Sequence, residues 1–193
     1  MIVDCAAYRE GQRVDVPADP GRVAAVVAGA GSFGWIGMRM PDADELVGVR
    51  QEIGWADFPV DEILARHRRP VLDVDPGRLQ LVLRTARYDD HQEKVAIGEL
   101  SVVVTDDWVI TARWGQAAPL ADLRQELEQD PERLALGPYA VLVGVVTKVV
   151  EGFRPSLDGF EQDVLQTELE VFSPDRHLPI NRIYNSNDRC AIC

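Results

Sequence analysis

The chain has 193 residues and a mass of 21.4 kDa, enough for one sizeable domain that folds without disulfides or a structural metal. Its hydrophobic share of 46% and charged share of 27% are those of a globular protein and argue against a disordered chain. The 20 basic and 32 acidic residues give a net charge of −12, which disfavours binding to nucleic acids.

The cysteines and the N-terminus indicate a cytoplasmic protein. Cys5, Cys190 and Cys193 are too few and too badly placed for a disulfide framework, which fits a reducing compartment. The first residues lack the basic region and the apolar core of a signal peptide. Because a spanning helix needs about 20 apolar residues, we do not expect this chain to insert into a membrane by itself.

Residues 1 to 70 are predicted to alternate between strands and helices. Asp is a good N-cap and Pro is tolerated in the first turn of a helix, so Asp19-Pro20 and Pro41-Asp42 predict helix starts. The predicted order is a strand at 2–8, a short strand through Val14 and Val16, a helix that stops at Gly29, a buried strand at 33–38, a helix that stops at Gly54, and a short helix capped by Asp57.

Residues 71 to 113 are predicted to be rich in strands. Strand-like segments cover 71–74, 78–87, 94–105 and 108–113. The polar loop at 88–92 separates two long strands and therefore predicts a hairpin. Together with the preceding helices, these strands predict an α/β (α+β) fold with a mixed, largely antiparallel sheet.

After Arg113 the pattern becomes helical. One helix is predicted at 119–129, before a break at Asp130-Pro131, and a long helix is predicted at 138–172. Pro155 should kink the long helix, whose length of roughly 50 Å is typical of a bundle, a stalk or an assembly surface. Its apolar stripe, at spacings of three and four, consists of Leu142, Val146, Val149, Phe153, Leu157, Phe160 and Val164.

A GxGxxG motif spans residues 29–34. A dinucleotide site needs a strand before this motif and a helix after it, so that the pyrophosphate meets a helix N-terminus. Here the predicted order is the reverse. The motif is therefore interpreted as a helix stop followed by a turn, and no cofactor-binding residues are assigned.

The other chemistry-bearing residues predict no catalytic site. His67, His91 and His177 lack a neighbouring nucleophile or a zinc-protease motif. The run 89–93 is interpreted as a solvated hairpin loop, with cation binding as the alternative. The CxxC at 190–193 has no second pair that would indicate zinc. The acidic run of the long helix predicts a solvated face, or a face toward a metal ion or a neighbouring subunit; it comprises Asp158, Glu161, Asp163, Glu168 and Glu170.

Five segments, in order along the chain, resemble the N-terminal cytosolic part of CorA-type magnesium and cobalt transporters. They are Phe33-Gly34-Trp35-Ile36-Gly37, residues 57–64, His67-Arg68-Arg69-Pro70, residues 83–88 and Leu157-Asp158-Gly159-Phe160-Glu161. The HxRP element after an acidic helix that begins with Pro carries the most specific part of the likeness. The resemblance extends to about Tyr184.

The resemblance implies an α/β/α sandwich over residues 1–115, a helical extension over 116–175, and over 176–193 the start of a stalk helix with a divergent tail that we expect to be disordered. It also implies homopentamers that bind regulatory divalent cations between subunits. The matching acidic positions are Asp61 and Glu62, and the implied ions are Mg²⁺ or Co²⁺. Many members have Glu-Asp where this chain has Asp61-Glu62, and Val71 stands where a Lys is common after the Pro.

The expected function is that of a truncated regulatory domain without enzymatic activity, unable to transport ions alone. The chain ends without the GMN signature and the two membrane helices of the family. We expect it to bind divalent cations, or to associate with itself or with a full-length homologue. The alternatives are an α/β metabolite-binding domain or enzyme, and a folded fragment without function.

Overall fold

The structure is a computed structural model that describes residues 1–65, 69–89, 94–115 and 120–171. Within these ranges the chain forms seven strands and six helices. The strands are β1 (Ile2–Arg9), β2 (Gln12–Arg13), β3 (Ser32–Arg39), β4 (Val71–Asp75), β5 (Arg78–Asp89), β6 (Lys94–Val104) and β7 (Trp108–Gly115). The helices are α1 (Pro20–Val27), α2 (Ala43–Ile53), α3 (Val60–Leu64), α4 (Ala121–Glu128), α5 (Pro131–Leu134) and α6 (Pro138–Val171).

The seven strands form one open, mixed sheet in the order β2-β1-β3-β7-β6-β5-β4. The pair β3 and β7 is parallel, and the other neighbours are antiparallel. This confirms the predicted α/β class with a mixed, largely antiparallel sheet. The helices cover both faces, which gives the predicted α/β/α sandwich.

Strand alternation decides which helices each face buries. In β3, Ile36 and Met38 point to the face packed by α1, α2 and α3, while Phe33 and Trp35 point to the face packed by α4, α5 and α6. Successive side chains in a strand point to opposite faces. One set of apolar strands therefore contributes to two cores. The first core lies between the sheet and α1, α2 and α3, and the second core lies between the sheet and α4, α5 and α6.

Local capping explains the first two helices. The Asp19 side chain accepts a hydrogen bond from the backbone N–H of Arg22, and Pro20 occupies the first turn of α1. Asp42 and Glu45 form a capping box at the start of α2, and Gly54 ends that helix in the left-handed conformation. The predicted starts and stops of both helices are confirmed.

Two local predictions were wrong. Pro59, rather than Asp57, is the N-cap of α3, and no side chain caps it. The predicted second strand through Val14 and Val16 is the two-residue β2 just before them. The predicted break at Asp130-Pro131 is confirmed, and it also begins the short helix α5, because Asp130 accepts from the N–H of Arg133 and Pro131 fits the first turn.

The long helix α6 has 34 residues, or about 51 Å at 1.5 Å per residue. Its first turns complete the second core with Val141, Val145 and Val149, and Phe153 packs at the edge of that core. Pro155 lies within the continuous helix. The predicted stripe therefore divides, since Val149 and Phe153 face the sheet but Leu157 and Val164 are exposed.

Candidate functional site

The two predicted cation ligands, Asp61 and Glu62, lie on the five-residue helix α3. Ile63 anchors this helix in the first core, beside the buried ring of Phe58. Asp61 and Glu62 are exposed. Consecutive residues on a helix are about 100° apart and do not face each other. The two carboxylates are therefore accessible to an ion but do not form a ready-made pair of ligands.

Glu62 has a cationic neighbour from the sheet. An Arg78 Nη1 atom lies 3.9 Å from Glu62 Oε1, and Arg78 Nη2 donates to Asp75 Oδ2 at 2.5 Å. The β4–β5 turn holds Arg78 in this position, with Gly77 at a φ of 81°. Arg78 therefore competes with any cation for the oxygens of Glu62.

Glu62 also lines an open crevice of about 480 Å³ between α3 and the β4–β5 turn. Two further carboxylates, Asp57 and Asp75, line the same crevice, and Trp55 packs edge-on against Phe58 at its wall, with ring centroids 5.3 Å apart. Three carboxylates around one guanidinium leave an excess of negative charge. Even so, no three His, Cys, Asp or Glu side chains converge closely enough to hold a metal ion anywhere in the described ranges.

Several other predicted candidates fall outside the described residues, namely His67, His91, His177, the run at 90–93 and the CxxC at 190–193. The expected disorder from Asn185 onward falls there too. The GxGxxG segment is described, and it lies between the end of α1 and the start of β3. The helix-stop interpretation is confirmed, because this order is opposite to that of a dinucleotide site.

A closed ring of polar side chains lies where α4 crosses β1, and the sequence analysis did not identify it. Arg124 forms an ion pair with Asp4, with 2.9 Å between Nε and Oδ2, and donates a hydrogen bond through Nη1 to the Tyr8 hydroxyl at 2.7 Å. Tyr8 donates to Glu128 at 2.8 Å. Arg13 closes the ring, with contacts of 3.0 Å to Glu128 and 3.3 Å to Asp4.

The pKa of Tyr8 departs from its usual value in this environment. Burial raises the pKa of Tyr8 above its usual value, Arg124 opposes that rise, and the hydrogen bond to Glu128 adds to it. The available sequence signal was Arg124 itself, which lies between Leu123 and Leu127 on the buried side of α4. A charged residue on an apolar helix face predicts a partner across the interface.

The outward face of α6 carries exposed apolar residues at intervals of seven. They are Val143, Val150, Leu157 and Val164, with side chains 57%, 64%, 61% and 37% exposed. We call this set the α6 seam. It lies on the opposite side of the helix from Val141 and Val145, which are fully buried against the sheet. A seven-residue repeat of this kind supplies one of the two apolar positions per heptad through which paired helices meet.

The described residues include no helix that is both long enough and apolar enough to cross a membrane.

The fold of the chain is similar to that of several solved structures. It is similar to full-length CmaX, with a TM-score of 0.70 at 18% identity, covering 99% of this chain and 58% of that one. It is similar to the soluble domain of CorA from Methanocaldococcus jannaschii, with a TM-score of 0.64 at 13% identity, covering 96% and 73%. A third match is the ZntB cytoplasmic domain from Vibrio parahaemolyticus RIMD 2210633, with a TM-score of 0.58 at 17% identity, covering 83% and 63%.

These identities show a shared fold, and this chain spans little more than half the length of full-length CmaX. No curated protein matches the sequence. The sequence profile described as "CorA-like Mg2+ transporter protein" matches residues 30–191, which is most of the chain. The predicted family resemblance is confirmed: this chain belongs to the CorA-like Mg²⁺ transporter protein family.

Proposed function

We propose that this chain is a cytoplasmic regulatory domain of a CorA-like transport system, which responds to divalent cations and has no catalytic activity. The observation that carries the proposal is the exposed α6 seam in a chain of this family. The transporter description of the family supports a role without catalysis. The partner is a second copy of this chain or a full-length homologue with the same helix.

The seam supports weak association through helix pairing. Apolar side chains at the same position of four successive heptads lose contact with water when two such helices meet. Exposed carboxylates flank the seam, including those of Glu151, Asp158, Glu161 and Glu168. Because the whole chain carries a net charge of −12, repulsion between copies opposes pairing. Divalent cations that neutralise this charge would favour it.

The exposed carboxylates of α3 would supply part of a cation site. A hard cation such as Mg²⁺ is surrounded by about six oxygens, several of them from water. Asp61 and Glu62 provide two carboxylates that do not face each other, and Arg78 competes for Glu62. Mg²⁺ or Co²⁺ would therefore bind weakly to one copy, in the millimolar range, and more tightly where a neighbouring copy adds oxygens.

A thermal-melt titration with Mg²⁺, Co²⁺ and Ca²⁺ tests the site. We expect stabilisation only at millimolar ion, by the mass-action dependence of binding to the folded state. The double variant Asp61→Asn, Glu62→Gln should lose that response. The variant Asp106→Asn, Asp107→Asn removes the same charge from two consecutive exposed residues in the β6–β7 turn and should retain it. Micromolar stabilisation that survives loss of Asp61 and Glu62 would contradict the assignment and move attention to residues 89–91.

A further inference from the structure

The parallel pair β3 and β7 creates a crevice of the kind that binds ligands in α/β proteins. From the end of β3 the chain passes to α2 on one face of the sheet, and from the end of β7 it passes to α4 on the other. In open α/β sheets, such divergence at the carboxyl ends of neighbouring parallel strands leaves a crevice where ligands bind. The mixed sheet has one such parallel pair among its described strands.

A cavity of about 220 Å³ occupies this place, under α4. Gly37 forms part of its floor and leaves room that a larger side chain would fill. The walls are mostly apolar, with Trp35, Leu100 and Leu120 among them. The polar and charged residues of the lining are Asp4, Thr111, Arg113 and Arg124.

Among the charged side chains that line the cavity, that of Arg113 makes no ion pair within the described part of the chain. Asp4 and Arg124 neutralise each other at 2.9 Å, and Asp4 also receives Arg13. Arg113 is half-buried, and no carboxylate of the described ranges lies within 4.0 Å of its guanidinium. Its register partner on β3 is Arg39, a second cation that likewise lacks an acidic partner in those ranges.

This arrangement disfavours the charged form of Arg113. Burial, and after it the neighbouring charge of Arg39, lowers the pKa of Arg113 below its usual value. A half-buried cation beside a like charge is unfavourable unless an anion accompanies it. A bound carboxylate would be held in bidentate fashion by a planar guanidinium, with Arg39 adding attraction from the rim.

We propose that this cavity binds a small organic carboxylate, whose anionic end pairs with Arg113 and whose apolar body lies against the apolar wall beside Leu120. The mostly apolar walls favour an amphipathic anion over inorganic phosphate, which would leave the cavity unfilled. The Thr111 hydroxyl already donates to the Ile36 carbonyl and accepts from the Trp35 indole. Because Trp35 and its hydrogen-bond partner Thr111 both line the cavity, a bound ligand should shift the NMR resonance of the Trp35 indole N–H. This proposal does not depend on cation binding or association.

Benzoate is a suitable probe, with benzamide as its uncharged counterpart and inorganic phosphate as the purely ionic one. In ¹H–¹⁵N NMR spectra of the full chain we expect benzoate to shift the Trp35 indole resonance with a Kd of about 1 mM, as for a fragment of this size. Benzamide and phosphate should bind at least about tenfold more weakly. Equal binding of phosphate would overturn the organic class, and equal binding of benzamide would overturn the role of charge.

Three variants locate the anion. Arg113→Gln should weaken benzoate binding about tenfold or more, and Arg113→Lys should recover only part of it, because an ammonium lacks the planar fork. Arg39→Gln, at an exposed position, should weaken binding about threefold and guards against a folding defect at Arg113. The matched control Arg22→Gln, on α1 across the sheet, should bind like the parent. No shift of the Trp35 indole with benzoate, or an equal shift in Arg113→Gln, would overturn the proposal.

Discussion

Arg124 and Asp4 join α4 to β1 across the second core, with Arg124 Nε 2.9 Å from Asp4 Oδ2. The guanidinium carbon of Arg124 also lies 3.9 Å from the centroid of the Trp35 ring. The Arg124 side chain is 8% exposed and that of Asp4 is 32% exposed. One buried cation therefore contacts a carboxylate, a phenol and an aromatic face, and it fixes α4 over the sheet.

Replacing Arg124 should destabilise the fold because its partners would remain without their cation. Removing one member of a buried ion pair costs about 3–5 kcal/mol, and the partial exposure of Asp4 reduces our expectation for Arg124→Met to about 2–3 kcal/mol. Urea unfolding measures the change. The same substitution at the exposed Arg22 should cost less than about 0.5 kcal/mol. Similar losses at both positions would contradict the role of the ring.

Gly11 and Gly77 make a matched pair for a test of close packing. Both have positive φ, at 75° and 81°. A Cβ on Gly11 would overlap the carbonyl oxygen of Pro131 in α5, whereas nothing lies within 4 Å of a Cβ on Gly77. We expect Gly77→Ala to cost about 1 kcal/mol from backbone strain alone, and Gly11→Ala to cost about 3 kcal/mol or more. Equal costs would show that α5 does not rest on the β1–β2 turn.

Cys5 predicts a loss of stability in alkali. Burial raises the pKa of its thiol from 9.0 to about 12, with the charge of Arg124 opposing that rise. The folded state therefore retains a proton that the unfolded state releases, and this contribution to stability is complete below pH 9 and is lost as the pH rises toward about 12. Tyr8, whose pKa is also raised, adds to the same trend.

Urea unfolding between about pH 8 and 11 measures this dependence. The slope for Cys5→Ala should be shallower than that of the parent above pH 9, by up to about 1.4 kcal/mol per pH unit. Parallel slopes would show that Cys5 titrates alike in both states. The absolute stabilities do not enter this comparison, so the small cavity left by alanine does not affect it.

The predicted elements were accurate where the signal is local. The caps Asp19 and Asp42 and the stop at Gly54 act within a single helical turn, so the sequence alone identifies them. The prediction that Asp57 caps α3 was wrong because Pro59, two residues later, is the N-cap of that helix. The break after α4 was predicted correctly, but the short helix α5 was not, since Asp-Pro begins a short helix as readily as it ends one.

The sites depend on residues that are distant in sequence. Arg124 meets Tyr8 across 116 positions, and Arg39 meets Arg113 only because β3 and β7 are neighbours in the sheet. The hydrophobic periodicity of a strand does not indicate which other strand it pairs with. The apolar stripe of α6 was visible in the sequence, but its division between the sheet and the exposed seam was not, because both sides of the helix are apolar. The family likeness supplied Asp61 and Glu62 as candidates, and their cation binding stays a prediction.

Sedimentation velocity over a concentration series, with and without Mg²⁺, shows whether copies of this domain associate through α6 under the influence of divalent cations. We compare the parent with Val150→Asp, Leu157→Asp, which places charge in the seam, and with Asp61→Asn, Glu62→Gln. We expect weak reversible association of the parent that millimolar Mg²⁺ strengthens, loss of association in the seam variant, and loss of the Mg²⁺ response alone in the α3 variant. Sedimentation that is independent of concentration and Mg²⁺ in the parent, or association that persists unchanged in the seam variant, would contradict it.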